Sequence, residues 1–237
     1  HAECLFDRNG SLWLRNAGSL MLCQLDGTTI RPVRRIAVPG DLFAMCEGGD
    51  GRMWLGGFGG TIHYLRPGES TLQPFKLYDW TFTIASSIIR LKSGEVVVAS
   101  MLYGLSVIDP ADDSVRRIAP FSLTDRFLPT TLHEDNEGLV WIGTRGDGLL
   151  RWNPATDEIV RIANPYCSDI AAIAEAPAGT LWVSTLDGLL KYDMAAEYFT
   201  SYSAADGIGG TQFNKSCVLR DASGALLFGG THAQSKS

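Results

Sequence analysis

The sequence predicts an all-β fold of repeated four-stranded units, a β-propeller, and three observations lead there. A short motif recurs six times, at Gly10-Ser11-Leu12-Trp13-Leu14, Gly51-Arg52-Met53-Trp54-Leu55, Gly94-Glu95-Val96-Val97-Val98, Gly138-Leu139-Val140-Trp141-Ile142, Gly179-Thr180-Leu181-Trp182-Val183 and Gly224-Ala225-Leu226-Leu227-Phe228. Successive anchor glycines lie 41, 43, 44, 41 and 45 residues apart, within the period of a four-stranded propeller blade. The second, third and fourth positions after each glycine are all apolar. Three consecutive apolar residues indicate a strand covered on both faces, and a blade between two neighbours supplies that cover.

Each strand of the repeat can be justified in turn. Six residues before each anchor come Cys4, Met45, Ile88, Leu132, Ile173 and Val218, marking an apolar inner strand. Turn residues follow, as in Asp7-Arg8-Asn9-Gly10 and Asp135-Asn136-Glu137-Gly138, whose chemistry suits left-handed backbone in a hairpin. These clusters lack the ligand spacing of an EF-hand loop. The anchor motif is the second strand. The third begins at Gly60, Gly104, Gly148 and Gly188, and turns such as Asp109-Pro110 and Asn153-Pro154 lead to fourth strands at Ser114 to Ile118 and Glu158 to Ile162. Ile170 to Ala176 scores as helix on propensity, but its register makes it an inner strand. The repeat is about 42 residues long. Five copies are complete, and the sixth stops after its second strand, so that residues 1–237 read as one propeller domain with an incomplete last blade. Its unpaired edge is expected to meet another chain, as in a homodimer, or to be covered by residues of a longer parent protein.

Composition narrows the function. A net charge of -6 and pI near 5.2 argue against nucleic acid, since phosphate binding needs clustered Lys and Arg, and no basic run suits anionic lipid. Five cysteines form no CxxC pair and cannot all pair within the chain. Cys4, Cys46 and Cys217 fall on inner strands and read as small hydrophobes. No segment is long and apolar enough to insert in a membrane, and the chain opens in mid-pattern at His1.

Trp141-Ile142-Gly143-Thr144 with Gly148-Leu149, and Trp182-Val183-Ser184-Thr185 with Gly188-Leu189, resemble the repeat of the two-component regulator propeller family. Gly207-Ile208 with Gln212-Phe213-Asn214, followed by Phe228-Gly229-Gly230, is similar to that family's closing repeat, with Ile208 where Leu is usual and Ala233 where Gly and a further strand usually continue. The resemblance covers all six repeats. It implies the periplasmic sensor region of a hybrid two-component system of Bacteroides-type bacteria. This chain would be the C-terminal part of a larger sensor region, anchored at the inner membrane and followed by a histidine kinase. It further implies a fragment of a complex glycan as ligand and no catalysis by this domain.

The residues themselves show no cofactor or metal chemistry. The histidines (His1, His63, His133, His232) have no metal-ligand spacing, and His133 reads as an inner-strand residue facing a neighbouring blade. No Gly-x-Ser-x-Gly elbow exists, and Gly56 to Gly60 joins two strands rather than opening a helix. The charged residues four before the anchors (Glu47, Arg90, Glu134, Glu175, Arg220) are expected at solvated strand ends, and Trp141 and Trp182 in the core. Strand order places the connections between blades and the hairpins between second and third strands on one face. Those loops carry Tyr78, Trp80, Phe82, Arg126, Phe127 and Tyr166, and the hairpins Phe58, Tyr103, Arg145 and Asp147. Aromatic rings stack on sugar faces while Arg and Asp hydrogen-bond hydroxyl or acidic groups. A ligand site is therefore expected from Phe58, Trp80, Tyr103, Arg126, Phe127, Arg145, Asp147 and Tyr166. Two other readings remain open: a propeller enzyme, such as a polysaccharide lyase or glycoside hydrolase, and a protein-interaction scaffold.

Overall fold

A computed structural model describes residues 3–16, 18–79, 83–101, 103–118, 128–163, 166, 169–210, 212–221 and 223–230. The chain divides into two compact units, His1–Leu123 and Thr124–Ser237. The first holds three four-stranded sheets: β1 (Glu3–Phe6), β2 (Leu12–Asn16), β3 (Ser19–Asp26) and β4 (Thr29–Ala37); β5 (Leu42–Glu47), β6 (Met53–Gly57), β7 (Thr61–Leu65) and β8 (Gln73–Lys76); and β9 (Ala85–Arg90), β10 (Val96–Ser100), β11 (Gly104–Ile108) and β12 (Val115–Ile118). The second unit has β13 (Pro129–Glu134), β14 (Val140–Thr144), β15 (Leu149–Trp152) and β16 (Ile159–Ile162), then β17 (Ile170–Glu175), β18 (Thr180–Thr185), β19 (Leu189–Asp193) and β20 (Tyr198–Tyr202). A two-stranded sheet of β21 (Phe213–Arg220) and β22 (Leu226–Gly230) completes it. All of these pairings are antiparallel. The fold is a β-propeller, with five four-stranded blades and one two-stranded blade among the described residues. Ile170 to Glu175 is a strand despite its helix propensity, because its alternating small residues pack in the interior, where tertiary context overrides propensity.

The doubly covered second strand is directly visible. All five residues of β6, β10 and β14 are buried, and their side chains divide between neighbours. Trp13 packs with Leu42, Met45, Met53 and Leu55 of the second sheet. Trp54 packs with Ile88, Val96 and Val98 of the third, and Trp141 with Ile173, Leu181 and Val183 of the fifth. The residue three after an anchor thus faces the following blade, while those two and four after it face the preceding one. In two blades only glycine fits five residues after the anchor: a Cβ on Gly56 would sit 2.8 Å from both Ala85 Cβ and Ile88 Cδ1, and one on Gly143 would sit 2.6 Å from Ile170 Cγ2.

The turns have a matching logic. Asp135, three before its anchor, accepts the backbone N–H groups of Glu137 and Leu139 on Oδ1, while Oδ2 accepts the Trp141 indole N–H at 2.7 Å. Asp7 repeats this with Asn9, Ser11 and Trp13, and Asp221 makes the turn alone, opposite Leu227 rather than an indole. Aspartate therefore both builds the turn and satisfies the buried indole. Where the turn residue is Ala176, the Trp182 N–H goes to its carbonyl instead, at 2.9 Å. Where it is Gly48, an added Cβ would lie 2.8 Å from Trp54 Nε1, and the Arg52 guanidinium covers that indole at 4.7 Å. The turn reading of these acidic clusters holds.

Three expectations need correction. Glu175 is not at a solvated end but 4% exposed. It bridges blades, accepting the Asn136 N–H at 2.8 Å and the Gly179 N–H at 2.7 Å. Glu47 makes the equivalent bond to Arg8 N at 2.7 Å, supplemented by the Arg8 side chain. Glu47 and Glu134 are half-buried, and only Arg90 and Arg220 are exposed. Cys4 and Cys217 are exposed rather than core, whereas Cys46 and Cys23 are buried; Cys167 lies outside the described residues. Trp182, expected in the core beside Trp141, is half-buried. Cys217 and Trp182 share one cause: they point toward or lie in the two-stranded sheet. On its forward face Leu219 and Leu227 are 58% and 57% exposed, and among the described residues β22 pairs only with β21.

Candidate ligand face

In each unit the Asp turns occupy one end of the blades. The hairpins between second and third strands occupy the other end, with the connections between blades.

In the first unit this end carries aromatic residues. Phe58, in the β6–β7 hairpin, is 60% exposed, bridges to Ile84 through the backbone, and meets Phe43 edge-on at 4.9 Å. Phe43 escapes the core because the register shift between Leu42 and Ala44 turns it outward. Tyr78 is a packing residue instead: it is buried, its hydroxyl lies 2.6 Å from Ser106 Oγ, and Tyr103 stacks on it at 4.8 Å. Tyr103 remains half-buried. Trp80 and Phe82 lie outside the described residues.

In the second unit the same end is charged. Thr144 Oγ1 donates to the Gly148 carbonyl at 2.8 Å and accepts the Asp147 N–H at 3.1 Å, closing the β14–β15 hairpin. Thr185 does the same with Gly188 and Asp187, so this threonine is structural. Arg145 is exposed; its N–H donates to the Leu128 carbonyl at 2.8 Å, and its backbone bridges to Asp169 at the entrance to β17. Asp147 accepts from Arg161 Nη2 at 2.9 Å. Tyr166 is 48% exposed, and Arg126 and Phe127 lie outside the described residues.

Lys215 and Asp169 join this group, and the sequence reading missed both. The Lys215 side chain reaches solvent. Protein packed round its ammonium, with the Arg145 charge, draws its pKa below the usual 10.5, while Asp169 opposes the shift. The available signal was position: Lys215 directly follows the Gln212-Phe213-Asn214 motif, and Asp169 directly precedes an inner strand. In the same unit, Leu189, Ile208, Gly210, Phe213 and Phe228 line an apolar cavity of about 310 Å³.

The arrangement can hold a polar, partly apolar ligand. Among the described residues no three of His, Cys, Asp and Glu are grouped to hold a metal. His133 lies on β13 directly opposite Trp141, facing a neighbouring blade. His63, on β7, is half-buried, and burial lowers its pKa from 6.5 because the imidazolium is penalised there. As pH falls the unfolded chain takes up the proton first, so this contribution is complete above about pH 6.5 and is lost below it. Melting of His63→Gln should therefore depend less on pH than wild type between about pH 7 and 5; identical slopes would remove His63 from the acid response.

No protein-family model matches the chain, and no curated protein does. Solved structures do. The extracellular domain assigned to the hybrid two-component system BT3049 of B. thetaiotaomicron matches 96% of this chain with a TM-score of 0.74 at 21% identity, over 32% of its own length. The corresponding domain of BT4673 from the same organism matches 96% with a TM-score of 0.76 at 20% identity, over 31% of its length. The chain has their fold. It spans about a third of the length of those two extracellular domains. Virginiamycin B lyase from Staphylococcus aureus matches equally well, with a TM-score of 0.76 over 96% of this chain and 76% of its own, at 13% identity. Sensor domains and an enzyme thus share the architecture, and the site must decide between them.

Proposed function

We propose that residues 1–237 are one propeller domain within the periplasmic sensor region of a hybrid two-component system. It binds a glycan-derived ligand without catalysis and biases a histidine kinase in the same protein. The observation that carries this reading is the match over 96% of the chain to the extracellular domains of two such systems, joined to the closing motif at Gln212-Phe213-Asn214. The loop end of each unit supports it. Exposed Phe58 and Phe43 offer rings for sugar faces, and Arg145 and Asp147 offer hydrogen bonds to hydroxyl or acidic groups. Trp80, Tyr103, Arg126, Phe127 and Tyr166 are the further candidates that the sequence offers.

The test is calorimetric titration of a glycan panel against the intact protein and its Phe58→Ala, Trp80→Ala and Arg145→Ala variants. At least one oligosaccharide should bind, and at least one variant should weaken it roughly tenfold or more, the scale of a lost charged hydrogen bond. Equal affinity in all three variants would move the site elsewhere. Turnover of any bound glycan would replace the sensor with the enzyme whose fold it shares.

A further inference from the structure

Three features of the second unit bring cations together at its loop end. First, the β21–β22 register passes from Phe213↔Gly230 to Val218↔Phe228, so four residues, Asn214 to Cys217, stand opposite Gly229. The inner strands β5, β13 and β17 accommodate only a single extra residue at the corresponding shift. Ser216 within this wide bulge has φ 53, a left-handed conformation that serine adopts only under constraint from its surroundings. Bulges of this kind re-aim side chains and recur beside functional sites, and Lys215 is at the centre of this one. Second, the backbone bridge between Arg145 and Asp169 ties the β14–β15 hairpin to the start of β17, and β17 is packed beside β21. Third, Asp147, the carboxylate nearest Arg145 in sequence, is taken by Arg161 at 2.9 Å. Among the described residues neither the Arg145 nor the Lys215 side chain makes an ion pair.

Among the described residues the charges therefore do not balance locally. Arg145 and Lys215 act on one another, and Asp169 is the carboxylate set against them, in a chain whose net charge is -6. A cationic point on an acidic protein, held by a bulge and a bridge, is a recognition feature rather than a solvated background. The guanidinium fork matches the paired oxygens of a carboxylate or sulfate, and an ammonium adds a point charge. Phe213, two residues before Lys215 in sequence, lines an apolar cavity of the same unit, which fits a ring carrying the acidic group better than a free ion.

We propose that this end of the second unit recognises an acidic saccharide, with Arg145 and Lys215 gripping a uronate carboxylate or a sulfate ester. The inference rests on the glycan-sensor reading above and adds the charge of the ligand.

Matched probes test it on the intact protein: tetragalacturonate against its carboxyl-reduced form, and N-acetylgalactosamine 4-sulfate against N-acetylgalactosamine. The two pairs separate carboxylate from sulfate. One acidic member should bind roughly tenfold or more tighter than its neutral partner, and Arg145→Gln and Lys215→Met should each abolish that preference. Both side chains reach solvent, so melting temperatures should stay near wild type. Equal binding of acidic and neutral members, or a preference that survives both substitutions, overturns the inference and leaves the glycan sensor standing. Binding of no saccharide in either form defeats the glycan reading and this inference with it. Independently, inorganic sulfate should shift the Lys215 side-chain resonance in NMR spectra of wild type but not of Arg145→Gln; no shift in wild type also overturns the cation pair.

Discussion

Trp141→Ala is expected to lower stability by about 3–5 kcal/mol, the range for removing a large buried aromatic. The indole is 1% exposed, meets Tyr192 edge-on at 5.7 Å, and packs into the following blade with Ile173, Leu181 and Val183. Its loss also deprives the buried Asp135 carboxylate of the indole N–H, and an under-satisfied buried acceptor adds its own penalty. Trp182→Ala should cost less, because that ring is half-buried against a two-stranded sheet. Denaturant titration of both variants decides the matter. Equal losses would mean that forward packing does not set the energetics.

Glu175→Ala should cost roughly 2–3 kcal/mol, since it removes the charged acceptor that two part-buried N–H groups, those of Asn136 and Gly179, share. Glu175→Gln retains a carbonyl oxygen and should cost about half as much. Glu47→Ala removes the equivalent bond at a half-buried position with an exposed arginine partner, where solvent screening keeps the effect to about 1 kcal/mol. Chemical denaturation of the three variants gives the ranking. A Glu175→Ala protein as stable as wild type would show that the bridge between blades carries no net free energy.

Much of the fold was legible because propeller constraints are local and repeated. The anchor glycine, the apolar triplet and the turn residues recur at a fixed interval, so one register applied to Gly138 also places β18 and β22. What remained hidden depends on which neighbour a residue meets. Glu175 and Arg220 occupy the same repeat position, yet one is buried between blades and the other exposed. Trp141 and Trp182 likewise look alike in sequence and differ in cover. At the loop end, Arg145 and Asp147 were visible as charged hairpin residues. Tyr78 was indistinguishable from a ligand contact until its hydroxyl was found against Ser106. Lys215 escaped because nothing in a strand sequence announces a four-residue bulge.

The alternating allegiance of the second strand, forward at one position and backward at the two beside it, bears on how the chain can fold. Bonds that fasten one blade to the next join residues of nearly constant separation: 39 for Arg8 with Glu47, 39 for Asn136 with Glu175, and 40 for Thr130 with Ile170. Loop-closure entropy depends on that separation rather than on total length. Each blade added within a unit thus meets the same entropic barrier as the one before, and the transition state need enclose only one such loop. For a 237-residue all-β chain, this favours stepwise growth from any pair of adjacent blades.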